Sequence, residues 1–136
     1  MSRRGGGQRP RERPGQRRAA WGRGRSAERI AAWWLRLKGY RILARGLRTP
    51  VGEIDLIARR GAVLAFVEVK ARPDLDQAGG ALLPRQQARI ERAAAAFLQR
   101  EPALAALDLR FDVVLVAPGR LPRHLPNAWR CGELRA

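Results

Sequence analysis

Asp55, Glu68 and Lys70 stand in a segment that otherwise reads as apolar strand, GEIDLIARRGAVLAFVEVKAR, from Gly52 to Arg72. Charged groups lose hydration in half-buried sheet, so these three either face solvent or form a site. Phosphodiester hydrolysis is chemistry that would use them. It needs a positioned water, neutralisation of the charge building on phosphate oxygens, and help for the leaving alkoxide. Two carboxylates holding Mg²⁺, or Mn²⁺ in its place, with waters completing an octahedron, supply the charge. A lysine two residues beyond the second carboxylate orients the water or shares transition-state charge, as a compact ammonium rather than a planar fork. The 28 basic residues include only two lysines, Lys38 and Lys70, so the chain departs from its habitual arginine at this position.

Such a set must be carried by paired strands. Side chains alternate along a strand, which puts Glu53 and Asp55 on one face of a strand running Glu53 to Ala58, with Ile54, Leu56 and Ala58 on the other. After a turn at RRGA, Val63 to Lys70 forms a second strand with Glu68 and Lys70 opposite Val67 and Val69. Upstream, Ser26 is positioned to cap a helix through AERIAAWWLRLK, stopped by Gly39, with a stripe of Ala27, Ile30, Ala31, Trp34 and Leu37. Glu28 then falls in the first turn, where a carboxylate suits the positive helix end, and Trp33 points away from the stripe. YRILAR reads as a short strand, followed by a basic turn, GLRTPVG.

Downstream of a loop, PRQQARIERAAAAFLQR is a second helix with Pro84 near its start and a stripe of Ile90, Ala94, Phe97 and Leu98. LRFDVVLVA is a buried strand, and LPRHLPNAWR a candidate edge strand. The order α-β-β-β-α-β predicts an α/β fold with a mixed sheet, since the helix between the third and fourth strands allows them to run parallel.

GEIDLIA followed by FVEVKAR resembles the Asp…Glu-x-Lys core of the PD-(D/E)XK nuclease superfamily, including the archaeal Holliday-junction resolvases. SAERIAAWWLRLKGYRILAR, ALLPRQQARI and RFDVVLV extend the likeness to the YraN-like family of uncharacterised bacterial proteins, over residues 24 to 130 or so. The resemblance implies a restriction-endonuclease-like core acting on DNA, with Asp55, Glu68 and the Val69 carbonyl as metal ligands and Lys70 as the catalytic lysine. It further implies that Glu28 supplies an extra carboxylate. The chain departs from the family pattern at Gly46, where asparagine is common, and at Gln86, where lysine is common. Gln86 or Gln87 then takes the role of a site-facing glutamine, and Glu53 either joins the site or pairs with an arginine of GLRTP. Resolvase likeness also makes a homodimer an expectation.

The net charge of +16 is a field that attracts polyanions, so nucleic acid is the first partner to consider. Arg48, Arg72, Arg85 and Arg89 flank the site in sequence and are candidates, with Gln86, for phosphate contacts. Residues 1–24 predict a disordered basic tail and 25–136 a single domain; no apolar run is long enough to span a membrane, and a cytoplasmic location is expected. Cys131 is a lone thiol without a disulfide partner. Asp112 is expected to pair with Arg110 or a helix end, and His124 to lie at the surface without acting as a base. A non-catalytic nucleic-acid-binding protein on the same fold is the alternative reading.

Overall fold

The computed structural model describes residues 14–75 and 82–130, with side chains from Arg25 onward. Cys131 and the first 13 residues of the basic tail lie outside the described residues. The elements are helix α1 (Pro14–Leu37), strands β1 (Arg41–Thr49), β2 (Gly52–Arg60) and β3 (Val63–Ala71), helix α2 (Pro84–Arg100), a single turn α3 (Pro102–Ala105), and strands β4 (Asp108–Val116) and β5 (Arg123–Trp129). The expected order is present, and the edge segment is a strand. The five strands lie side by side in sequence order. β1, β2 and β3 form an antiparallel meander, β3 and β4 run parallel across the α2 crossover, and β5 returns antiparallel on β4. The fold is α/β, a mixed sheet with a helix against each face.

Burial on both faces explains why β3 and β4 are almost continuously apolar. On the α2 side, Ile57, Phe66, Phe111 and Trp129 pack beneath Ile90 and Ala94. The Phe66 and Phe111 rings stack at 5.6 Å and Phe111 and Trp129 at 5.1 Å, a chain of aromatics across three strands. On the α1 side, Leu56, Ala65, Val67 and Val114 meet Ala27, Ala31, Ala32 and Leu35.

Several local expectations are corrected. α1 begins at Pro14, so Ser26 is an interior residue and Glu28 is not in the first turn, which carries no acidic residue. The buried stripe of α1 is rotated: Ala27 and Ala31 are covered and Trp34 is half-buried, but Ile30 and Leu37 are exposed while Ala32 and Leu35 are buried. Small residues win the contact because they let the helix backbone approach the sheet closely. GLRTPVG does not end the strand before Gly46: β1 continues through Thr49, and only Pro50 and Val51 turn. Gly46 adopts a φ of +58°, a conformation open to glycine and to asparagine, so the strand passes it without strain. Ile54 joins the α2-side cluster rather than sharing a face with Leu56 and Ala58. The reason is local: the β2–β3 ladder runs only from Arg60↔Val63 to Leu56↔Val67, and beyond it the strands part.

Candidate active site

Asp55 and Glu68 are the first residues past the end of that ladder. Instead of pairing backbone to backbone, Asp55 uses its side chain: the Val69 N–H donates to Asp55 Oδ2 at 2.8 Å. A carboxylate oxygen thus replaces a carbonyl in satisfying a strand N–H, and the gap between the splayed strands becomes a cleft of about 430 Å³. Glu53, Asp55, Glu68, Gln86 and Arg89 are among its lining residues. In an extended strand a residue's N–H and C=O project to the same side, so the Val69 carbonyl leaves the strand on the edge that faces Asp55. Lys70 Nζ stands 3.2 Å from Glu68 Oε2, with both side chains under a fifth exposed.

The electrostatics are those of acids crowded together. Burial, helped by the Asp55 charge and opposed by Lys70, pushes the Glu68 carboxyl up to about 7. Burial also raises Asp55, against the Val69 N–H and the hydrogen bond it shares with Glu68. Glu28 is raised by burial and then by Asp55, with Arg45 opposing. Three carboxylates therefore hold protons more tightly than isolated ones, which marks a place where a cation lowers the free energy.

Fit to Mg²⁺ follows from the donor set. Asp55, Glu68 and the Val69 edge offer only oxygen, the donor that hard cations take. Among the described residues no third carboxylate, histidine or cysteine closes a cluster that would by itself hold an ion. Two carboxylates with water filling the remaining positions is the usual magnesium arrangement, so the residues fit.

The other candidates separate. Glu28 lies on α1 beside Gly46, where an added Cβ would sit 3.9 Å from Glu28 Oε1, near the acids but outside a ligand cluster. Glu53 lines the cleft and reaches Arg48 at 3.8 Å, an exposed pair. Arg48 and Arg89 line the cleft; Arg85 is exposed on the first turn of α2 and is not part of the wall. Arg72 is not brought there either: its N–H bonds the Val116 carbonyl and its side chain lines a separate groove with Ile30 and Leu121. Gln86 faces the cleft while its Oε1 accepts the Leu83 N–H, tying down the start of α2. Gln87 is not in the wall; its Nε2 donates to the Leu82 carbonyl at 3.1 Å and its Oε1 is buried with no partner.

Asp112 is wholly buried and accepts from Arg110 Nε and Nη2 at 2.8 and 2.7 Å, as expected of the pair. The reading of His124 as a surface residue is overturned. Its side chain is 2% exposed, and Nε2 meets Asp112 Oδ2 at 2.8 Å. Pairing of β5 with β4, His124 opposite Val114, carries the ring inward, and nothing in the local sequence around a lone histidine reveals that cross-strand register. Arg89, named from its position alone, has a specific seat: its Cγ would lie 3.0 Å from a Cβ added to Gly52, whose φ is +154°. Glycine there lets α2 approach the β1–β2 turn and brings Arg89 over the cleft.

Comparison with known proteins places these residues in a family. A UPF0102 protein of Paramagnetospirillum magneticum is 63% identical over 116 residues, covering 82% of this chain and 90% of its own. A UPF0102 protein of Parvibaculum lavamentivorans is 63% identical over 112 residues, covering 82% and 84% respectively. Another, of Methylorubrum extorquens, is 57% identical over 122 residues, covering 89% and 95%. Among solved structures, Pyrococcus furiosus SfsA in complex with Ca²⁺ is similar at 16% identity and a TM-score of 0.32, over 76% of this chain and 62% of that one, too distant to inform the site. Residues 27–116, which hold every carboxylate of the cleft, match the uncharacterised protein family UPF0102, and the chain belongs to that family.

Proposed function

We propose that the protein is a metal-dependent nuclease that hydrolyses phosphodiester bonds of DNA, with Asp55 and Glu68 as the ligands of Mg²⁺ or Mn²⁺. The observation that carries this reading is the splayed hairpin. It leaves two adjacent carboxylates, one raised to about 7, at the floor of a cleft whose rim carries Arg48 and Arg89. A bound ion would neutralise charge on the phosphate and favour ionisation of a water. The remaining work falls to the chain's own groups. Asp55 is oriented by the Val69 N–H and Glu68 by Lys70, so neither carboxylate must reorganise to act. Lys70 Nζ carries movable donors that hold an attacking water or an equatorial phosphate oxygen. Arg48 and Arg89 position the backbone without reading its sequence, and Glu28 supports the site through the field it shares with Asp55.

The test is cleavage of linear duplex, single-stranded and four-way-junction DNA with Mg²⁺ or Mn²⁺ by the wild type, Asp55→Ala and Lys70→Ala. Cleavage is expected only with metal, and each substitution should lower it about 10²-fold or more. Equal cleavage by all three proteins would point to a contaminant. Salt-sensitive DNA binding with no cleavage by the wild type would leave a nucleic-acid-binding protein on this fold.

A further inference from the structure

A second polar cluster is built on β4 and β5, across β3 from the cleft, and no step of the proposed hydrolysis uses it. Lys38, in the turn after α1, places Nζ against His124 Nδ1, and His124 Nε2 meets Asp112 Oδ2 at 2.8 Å. Asp112 is held in turn by the Arg110 guanidinium and by the Asn127 N–H at 2.9 Å. A carboxylate only accepts, so Nε2 carries a proton, and an ammonium only donates, so Nδ1 is the acceptor. The chain therefore presents an amine, an imidazole aimed at it, and a buried carboxylate orienting that imidazole. This is the relation by which an adjacent base activates a nucleophile and a third group orients the base. The amine is exposed, while the base and the carboxylate behind it are closed off from solvent.

From this geometry we infer that Lys38 is an activated amine, a site of acylation by small acyl phosphates. His124 Nδ1 takes a proton from the ammonium, and Asp112 stabilises the imidazolium that results. The free Nζ attacks the acyl carbon; a C–N bond forms, the C–O bond to phosphate breaks, and phosphate departs with the electron pair and takes up the second proton lost by the nitrogen. The proton passes from His124 to solvent, leaving a neutral amide. The arginines decide the donor class. Arg60 donates to the Lys38 carbonyl at 3.1 Å and stacks over the Tyr40 ring at 4.6 Å, which holds a guanidinium in the Lys38 turn for a phosphate leaving group. Burial and then the Arg60 charge also lower the Lys38 pKa, which favours the free amine.

Only two lysines exist in the chain, so peptide mass spectrometry assigns the product without ambiguity. Folded and urea-unfolded protein are treated with acetyl phosphate at neutral pH, and the initial rate at Lys38 is compared between them. An exposed lysine with no base gains nothing from folding. Lys38 is expected to react about tenfold or more faster in the folded chain, a conservative share of what a positioned base supplies. His124→Gln should remove that gain while leaving the unfolded rate unchanged. A folded rate equal to or below the unfolded one overturns the inference, and that comparison stands even if the variant fails to fold.

Discussion

Glu68 is the residue whose titration is most diagnostic. Its ordinary value near 4.5 is raised to about 7, chiefly by burial. The native chain then holds more protons than the unfolded chain between those values, so metal-free stability must fall as pH rises through that window. Raised Asp55 and Glu28 carry the same sign. Asp112 is lowered from 3.8, so its contribution is lost only in stronger acid and does not enter the window. Thermal denaturation of the metal-free protein should show a higher Tm near about pH 5.5 than near about pH 7.5, and Glu68→Gln should flatten the slope. An unchanged slope in that variant would assign the titration elsewhere. At this scale the sequence was informative, because an Asp…Glu-x-Lys pattern places three side chains at known offsets. It was silent on Asp55 binding the Val69 N–H, which depends on where the hairpin ladder stops.

Two elements position the site, and each has a vulnerable residue. Gly52 holds a φ of +154° with the Arg89 side chain and backbone carbonyl at 3.0 and 3.3 Å from where a Cβ would be. Gly52→Ala should cost about 1–3 kcal/mol in urea denaturation through strain and displacement of the start of α2. It should also weaken DNA binding by moving Arg89. In β4, Asp112 sits between Arg110 and His124 with no exposed surface. Asp112→Ala leaves the Arg110 guanidinium and the buried His124 N–H without their acceptor and should cost about 3–5 kcal/mol by the same measurement. The elements were largely legible in advance: the order of helices and strands along the chain, the α2 stripe at Ile90 and Ala94, and the parallel β3–β4 pairing follow from periodicity and crossover length. The stripe of α1 was not, since Ile30 and Leu37 outrank Ala32 by hydrophobicity while close packing favours the smaller residue. His124 was hidden for the related reason that its neighbours are set by strand register.

For the whole molecule, the proposed function has the +16 charge and the cleft arginines act together on DNA. Affinity for DNA should fall steeply with salt, and Arg89→Ala should weaken binding evenly across sequences and reduce the salt slope by about 1. Salt titrations monitored by fluorescence anisotropy check both. No helix among the described residues is long and apolar enough to cross a membrane. The charge was legible in composition, but which arginines face the cleft was not: Arg48 and Arg89 do, and Arg72 is carried to another groove although it directly follows the Glu-x-Lys strand. The central claim is that Asp55 and Glu68 form an ion site, and calorimetric titration of Mn²⁺ into wild type and Asp55→Ala tests it without requiring a substrate. The prediction is saturable binding by the wild type, tightening as pH rises through about 7 as Glu68 ionises, and lost in the variant. No binding by the wild type, or equal binding by both proteins, would contradict it.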